Sequence, residues 1–322
     1  MASDPKNFDP EIIKRLVKLE DKYNAMGQDL SSYLDGLLHA DYLTYWDYVN
    51  LDTLLSLQQP KTPFKDETIF ITYHQITELY FKLILWEISQ MTGEKKLSAE
   101  LFLEKLKRIN NYFDQLTNSF GIMVEGLDKR QFLSFRMSLL PSSGFQSAQY
   151  RFIEIAGTDA INLVSIKHRE KLTNEQDTKV LYDAIYWKEG ASELATGKKT
   201  LTLKQFEEKY SEELIKRMRF HTNNNLNSIF HANYANGDEP DEIIKELRKL
   251  DVSANINWPL SHYRSAAKHL QNDPDVIAAT GGTNWQKYLP PRFQKVCFFP
   301  KLWSAEEMED WGKSWVNEVL NS

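Results

Sequence analysis

The chain has 322 residues, a formal net charge of −6 and a pI near 5.7. That balance argues against a nucleic-acid partner, because such affinity rests largely on Lys and Arg displacing phosphate counterions. With 42% apolar and 26% charged residues the composition is that of a folded globular protein, and the one cysteine excludes an intrachain disulfide or a cysteine-rich metal cluster.

Residues Met1 to Pro10 are polar and acidic, without the basic start and apolar stretch of a leader. No apolar run approaches the ~20 residues that span a bilayer, so the expected location is a reducing cytoplasm, with no membrane partner. Punctuation by Gly and Pro is sparse, and apolar residues recur at three- and four-residue spacing. This predicts an all-α fold.

The first predicted helix runs from Asp9 to Met26. It is followed by an aromatic stretch, Tyr45-Trp46-Asp47-Tyr48-Val49, and a helix over Leu51 to Gln58. Aromatics this dense can line a flat ligand's pocket, though ordinary packing explains them equally well. Asp66 to Met91 is the clearest helix: Ile69, Tyr73, Ile76, Tyr80, Leu83 and Ile84 trace one face, and Phe70, His74, Phe81 and Leu85 a neighbouring one. Apolar on so much of its circumference, it is expected to be buried on most sides. His74 within it reads on its own as a satisfied core histidine before it reads as a catalytic group.

Helices over Ser98 to Asn118 and Lys129 to Leu139 come next. The latter carries Phe132 and, one turn on, Arg136, suited to holding a carboxylate bidentately or to pairing with an acid such as Glu154. The Ser/Gly turn Ser142-Ser143-Gly144 precedes a helix over Gln146 to Ala156. Its backbone N–H groups suit a carboxylate or propionate, or simply cap that helix. Helices over Asn174 to Tyr186, Leu203 to His221 and Pro240 to Leu250 are separated by two connections, Lys188 to Thr202 and the Asn-rich Thr222 to Glu239. Neither marks a domain boundary, so residues 1–322 read as one domain.

Towards the C-terminus, His262 follows Trp258-Pro259 and precedes Ala279-Thr280-Gly281-Gly282, a weak signal of a heme or metal site. The other histidines, His39, His168, His221, His231 and His269, show no zinc-motif spacing. Cys297 sits in an apolar run and reads as a small core residue. Ser304 and Glu307 are spaced as a capping box for a final helix.

Taken together and in order, Leu43–Pro60, Asp66–Glu87, Phe132–Glu154, Trp258–Leu289 and Phe299–Trp303 closely resemble the tryptophan 2,3-dioxygenase family. The run Ser143-Gly144-Phe145-Gln146-Ser147, followed by Gln149-Tyr150-Arg151, is the most specific. Residues 157–257 carry little family signal beyond helical character. The loop before and after Thr280 departs from the pattern: Ala279 stands where glycine is usual, Asn284-Trp285 replace small residues, and a few residues near Gln271 to Pro274 look inserted.

The resemblance implies a helical bundle enclosing heme b, ferrous in the active state, with His262 as the axial iron ligand and Ser143 and Gly144 beside the heme. It implies that Phe70, His74 and Phe132 form the substrate side, that His74 meets the indole N–H, and that Arg136 and Thr280 hold the amino acid end. Tyr45, Tyr48 and Val49 would come from a neighbouring subunit of a homotetramer, a dimer of dimers, through the segment of about 1–60. The implied reaction inserts both atoms of O2 across the indole C2–C3 bond of L-tryptophan to give N-formyl-L-kynurenine, the first step of the kynurenine pathway. The alternative is a related heme oxygenase acting on a substituted indole, and Arg136 and Thr280 weigh against it.

Overall fold

A computed structural model describes residues 8–40, 43–93, 96–136, 145–192, 198–237, 240–270 and 290–313. Among them the structure is helical throughout, with no β-sheet beyond two isolated bridges. The chain divides into two compact units, residues 1–58 and 59–322.

The first unit holds α1 (Pro10–Ala25), α2 (Leu30–Leu38), α3 (Tyr45–Tyr48) and α4 (Leu51–Ser56). Local chemistry starts three of them: the side chains of Asp9, Asp29 and Thr44 accept hydrogen bonds from first-turn backbone N–H groups. None of these helices buries a residue. Leu38, Trp46 and Leu55 are all more than half exposed.

The second unit begins with α5 (Asp66–Met91), α6 (Ala99–Ser119), α7 (Gly121–Glu125), α8 (Lys129–Arg136) and α9 (Ala148–Gly157). There follow α10 (Ile166–Arg169), α11 (Thr178–Asp183), α12 (Tyr186–Gly190), α13 (Leu201–Phe220), α14 (Leu226–Asn233), α15 (Pro240–Val252) and α16 (Trp258–Leu270), then α17 (Pro291–Gln294) and α18 (Ala305–Glu309). Its core lies where α6 packs between α5 and α15, with α9 against α5. Ile84, Phe102, Leu106, Ile109, Phe113 and Leu247 are fully buried there.

Helix α5 has the predicted ends, but it is not buried on most sides. Tyr73, Phe81, Ile84 and Ile88 face the core, whereas Ile76, Leu79, Leu83 and Trp86 are exposed. One chain supplies neighbours for one side of this helix and leaves an apolar stripe on the other. The Asn-rich connection is also corrected: it contains α14, which Asn225 caps in a reciprocal box with Ser228. The stretch read as one helix over Asn174 to Tyr186 is α-helical only over α11, and α12 starts at its last residue and runs into the connection read from Lys188.

Between α15 and α16 the chain makes a π-helical turn, Ser253–Asn257, so the helix carrying His262 follows α15 through one wide turn. Cys297 is buried as expected, its thiol donating to Asp251 Oδ2 at 3.1 Å, and burial beside that carboxylate raises its pKa far above the usual thiol range. The Ser304–Glu307 capping box is present at the start of α18. No helix among the described residues is long and apolar enough to cross a membrane.

Candidate functional site

One region of the second unit gathers most of the chemistry singled out in the sequence. Helix α5 packs on α8, and α16 packs on α6, α7 and α8, which brings together side chains far apart in the chain. Phe70 is the hub of an aromatic wall: its ring centroid lies 4.1 Å from that of His74, 5.5 Å from Phe135 and 6.2 Å from Phe132. On the α16 side, Phe120 sits 5.9 Å from His262 and 5.1 Å from Trp258, and Tyr73 bridges His74 and Phe120 at 5.8 and 5.6 Å.

The two histidines are neutral imidazoles. His74 Nδ1 lies 2.7 Å from the carbonyl oxygen of Phe70. A carbonyl only accepts, so Nδ1 carries the hydrogen and Nε2 is left as an acceptor. Solvent reaches the His74 ring, yet protein crowds most of its surroundings. Its pKa is lowered first by burial, against the opposing pull of the Phe70 carbonyl and Glu78. The pKa of His262 is lowered to about 4, first by burial and then by repulsion from His74. The two imidazoles therefore lie within electrostatic reach of each other. A neutral imidazole is the form that ligates a metal.

Arg136 ends α8, with its guanidinium carbon 6.0 Å from the Phe132 ring centroid. No ion pair or hydrogen bond reaches it among the described residues. Burial alone lowers its pKa, with no anion to offset it. Pairing with Glu154 does not occur: that carboxylate is engaged by Arg151 at 3.0 Å and by the Tyr186 hydroxyl. A partly desolvated guanidinium beside an aromatic ring is suited to pairing with an anion.

Phe70, His74, Phe132, Arg136 and His262 are thus connected through one set of contacts. Tyr45, Tyr48 and Val49 belong to the first unit, in and just after α3, with both tyrosines more than two-thirds exposed. Ser143, Gly144 and Thr280 lie outside the described residues.

Sequence reasoning passed over Phe120, Phe135, Tyr73 and His269. His269 is two turns beyond His262 on the same face of α16, almost fully buried, with its ring 4.9 Å from that of Phe132. Its Nε2 donates to the Met123 carbonyl at 2.8 Å, which leaves Nδ1 as a buried acceptor without a donor. Helical spacing from His262 could have flagged it.

Among the described residues no group of three or more His, Cys, Asp or Glu side chains could hold a bare metal ion. A neutral imidazole, His262, within electrostatic reach of a second one and beside aromatic rings suits instead a flat macrocycle that brings its own ligands to the metal. The residues present fit heme in this respect.

A family model described as "Tryptophan 2,3-dioxygenase" matches residues 37–202, more than half of the chain. The chain is 29% identical over 284 residues to a tryptophan 2,3-dioxygenase of Ruegeria sp. (strain TM1040), covering 82% of this chain and 92% of that protein. Shorter alignments relate it to tryptophan 2,3-dioxygenases of Sorangium cellulosum (strain So ce56), 38% identical over 126 residues, and Polaromonas naphthalenivorans (strain CJ2), 38% over 118 residues. Each covers 35% of this chain, and they span 30% and 40% of those proteins.

Proposed function

The chain belongs to the tryptophan 2,3-dioxygenase family, and from that premise we propose that it is a heme-dependent dioxygenase of the cytoplasm. It inserts both atoms of O2 across the indole C2–C3 bond of L-tryptophan to give N-formyl-L-kynurenine. The observation that carries this reading is the guanidinium of Arg136, which has no anionic partner among the described residues, on the same aromatic wall as His74, whose Nε2 is an acceptor. L-Tryptophan presents a carboxylate for the first and an indole N–H for the second.

Each residue then has a task. Phe70, Phe132 and Phe135 give the indole an apolar surface that excludes water and leaves its reacting edge free. His74 Nε2 accepts the indole N–H and so fixes the ring's orientation, with a role in proton transfer secondary to that. Arg136 takes the carboxylate bidentately, and Thr280 the rest of the amino acid group. His262 holds the cofactor through its neutral imidazole, with Ser143 and Gly144 supplying backbone N–H groups to a propionate. Heme b, when bound, supplies the redox-active iron that activates O2.

We further propose a homotetramer, a dimer of dimers, in which Tyr45, Tyr48 and Val49 of one subunit complete the site of another. The apolar stripe Ile76, Leu79, Leu83 and Trp86, and the unburied apolar residues of α1 to α4, support association of this kind. Residues 1–322 would then act as one heme-dioxygenase domain, with the segment of about 1–60 contributed across the interface.

The test is turnover. Heme-reconstituted protein, reduced without oxygen, is given L-tryptophan and O2 while the N-formylkynurenine absorbance is followed, with indole and 3-methylindole in parallel. Turnover of L-tryptophan alone, lost in Arg136→Ala, supports the proposal. Turnover of the simple indoles alone moves the protein to the substituted-indole oxygenases, a reading that leaves the desolvated guanidinium without a purpose.

A further inference from the structure

Asp251, next to last in α15, is completely buried and takes five hydrogen bonds. Oδ1 accepts from the Phe298 backbone N–H and from Asn255 Nδ2, both at 2.7 Å. Oδ2 accepts from the Phe299 N–H at 3.0 Å, the Trp303 indole N–H at 3.0 Å and the Cys297 thiol at 3.1 Å. All five partners are donors, which is the environment of an ionised carboxylate, since a protonated oxygen would aim its hydrogen at another one. Burial pushes its pKa up while the donors pull it down.

Two of these contacts decide what the cluster does. The Phe298 and Phe299 bonds fasten the C-terminal segment to the end of α15. The Asn255 bond reaches into the π-turn Ser253–Asn257, which leads directly into the helix of His262. A second tether, from the Tyr150 hydroxyl of α9 to the Ala254 carbonyl at 2.6 Å, holds the same turn from the side. A π-turn inserts one extra residue, and relaxation to ordinary helix would rotate everything after it by about 100° about the axis. The width of this turn therefore sets which way residue 262 points.

We propose that Asp251 is a positioning residue for His262: by fastening the π-turn through Asn255 to an anchored C-terminal segment, it fixes the rotational phase of α16 and the direction of the axial imidazole. This rests on the reading of His262 as the iron ligand. Asp251 touches neither substrate nor cofactor, and acts as the outer support that metal-binding histidines commonly need.

The experiment uses full-length, heme-reconstituted Asp251→Asn. The readouts are the iron–histidine stretching band of the ferrous protein by resonance Raman, the rate of heme loss to a scavenging apoprotein, and thermal unfolding. The expected result is a shifted or split band and heme loss faster by about tenfold or more. Lys188→Met serves as the control for general destabilisation, because it removes a buried ammonium from the ion pairs with Asp183 and Glu207, away from α16. It is expected to lower thermal stability and leave the band in place.

A lowered melting temperature in Asp251→Asn with an unchanged band and heme-loss rate would mean a structural role only, and overturns the proposal. Should Asp251→Asn not fold, Asn255→Ala keeps the four other donors and cuts only the link to the π-turn. It is expected to shift the band, and an unshifted band in that folded variant also overturns the proposal. His262→Ala separates the underlying reading: loss of the wild-type band in that variant upholds His262 as the ligand, whereas a retained band means another residue holds the iron, and the proposal falls with that reading.

Discussion

His74 gives its Nδ1 hydrogen to the carbonyl of Phe70, 2.7 Å away and one turn back in the same helix. The helix that supplies the side chain thereby fixes its tautomer and leaves the lone pair on Nε2. His74→Phe is expected to lower kcat/KM for L-tryptophan by roughly fivefold to tenfold, the worth of one neutral hydrogen bond. An analogue with oxygen in place of the indole N–H should be turned over equally by both proteins. If the variant loses as much on the analogue, His74 is not acting as the acceptor.

Protonation of His74 removes that lone pair. Its pKa is lowered by burial, so kcat/KM for L-tryptophan should stay level from neutral pH down past the ordinary histidine value of about 6.5 and decline only at lower pH. A decline centred at or above the ordinary value contradicts this, and a pH profile of kcat/KM decides.

Arg136→Leu separates substrate recognition from stability. Charge-assisted hydrogen bonds of about 1.5–3 kcal/mol correspond to a rise in KM for L-tryptophan of roughly 10- to 100-fold. Any activity on 3-methylindole, which has no carboxylate, should be unaffected. Because the guanidinium is partly desolvated and has no anionic partner among the described residues, the substitution should not lower the melting temperature of the ligand-free protein, and a fall of several degrees would reveal a structural anion.

Acid should weaken the fold in a defined window. His221, His231 and His269 all have pKa values lowered by burial as the leading cause. The unfolded chain therefore takes up protons first as pH falls, and stability that is complete above about 6.5 is lost below it. The slope is at most about 1.4 kcal/mol per pH unit for a fully buried group such as His269. Urea midpoints of the ligand-free protein between about pH 7.5 and about pH 5 measure it, and His269→Gln should flatten the curve. An unchanged curve in that variant would remove His269 from the account.

Gly157 ends α9 against the ring of Phe298, where an added Cβ would lie 2.9 Å from Cδ2. Phe298 cannot retreat easily, since its backbone N–H is bound to Asp251 and its carbonyl accepts from the Thr158 hydroxyl. Gly157→Ala should cost about 1–3 kcal/mol as overpacking. Denaturant unfolding of the variant at wild-type stability would show that the ring has room to shift.

Much of this was legible in the residues, for reasons that differ by element. Helix α5 was readable to its ends because acidic residues open it and Thr92-Gly93 closes it. The exposure of Ile76, Leu79, Leu83 and Trp86 was not, because periodicity reports that a face is apolar and not which molecule covers it. Helix α14 was hidden by composition: asparagine is common in loops, and its use as a cap at Asn225 depends on where the chain turns. The π-turn before α16 was not read from the residues, since a long-range bond from Tyr150 to Ala254 holds it together with the local one from Asn255 to Asp251. Phe70, His74, Arg136 and His262 were named in advance from the order of the motifs. Their connection through Phe120 and Phe132 needed the packing of α16 on α6 and α8.

The thiol of Cys297, the chain's one cysteine, is buried and held to Asp251 with its ionisation suppressed. Thiolate, not thiol, reacts with maleimides and iodoacetamides, so the folded protein is expected to resist these reagents. A cysteine introduced on an exposed helix face would then be labelled alone, and a fluorophore or spin probe could be placed there without first removing the natural residue.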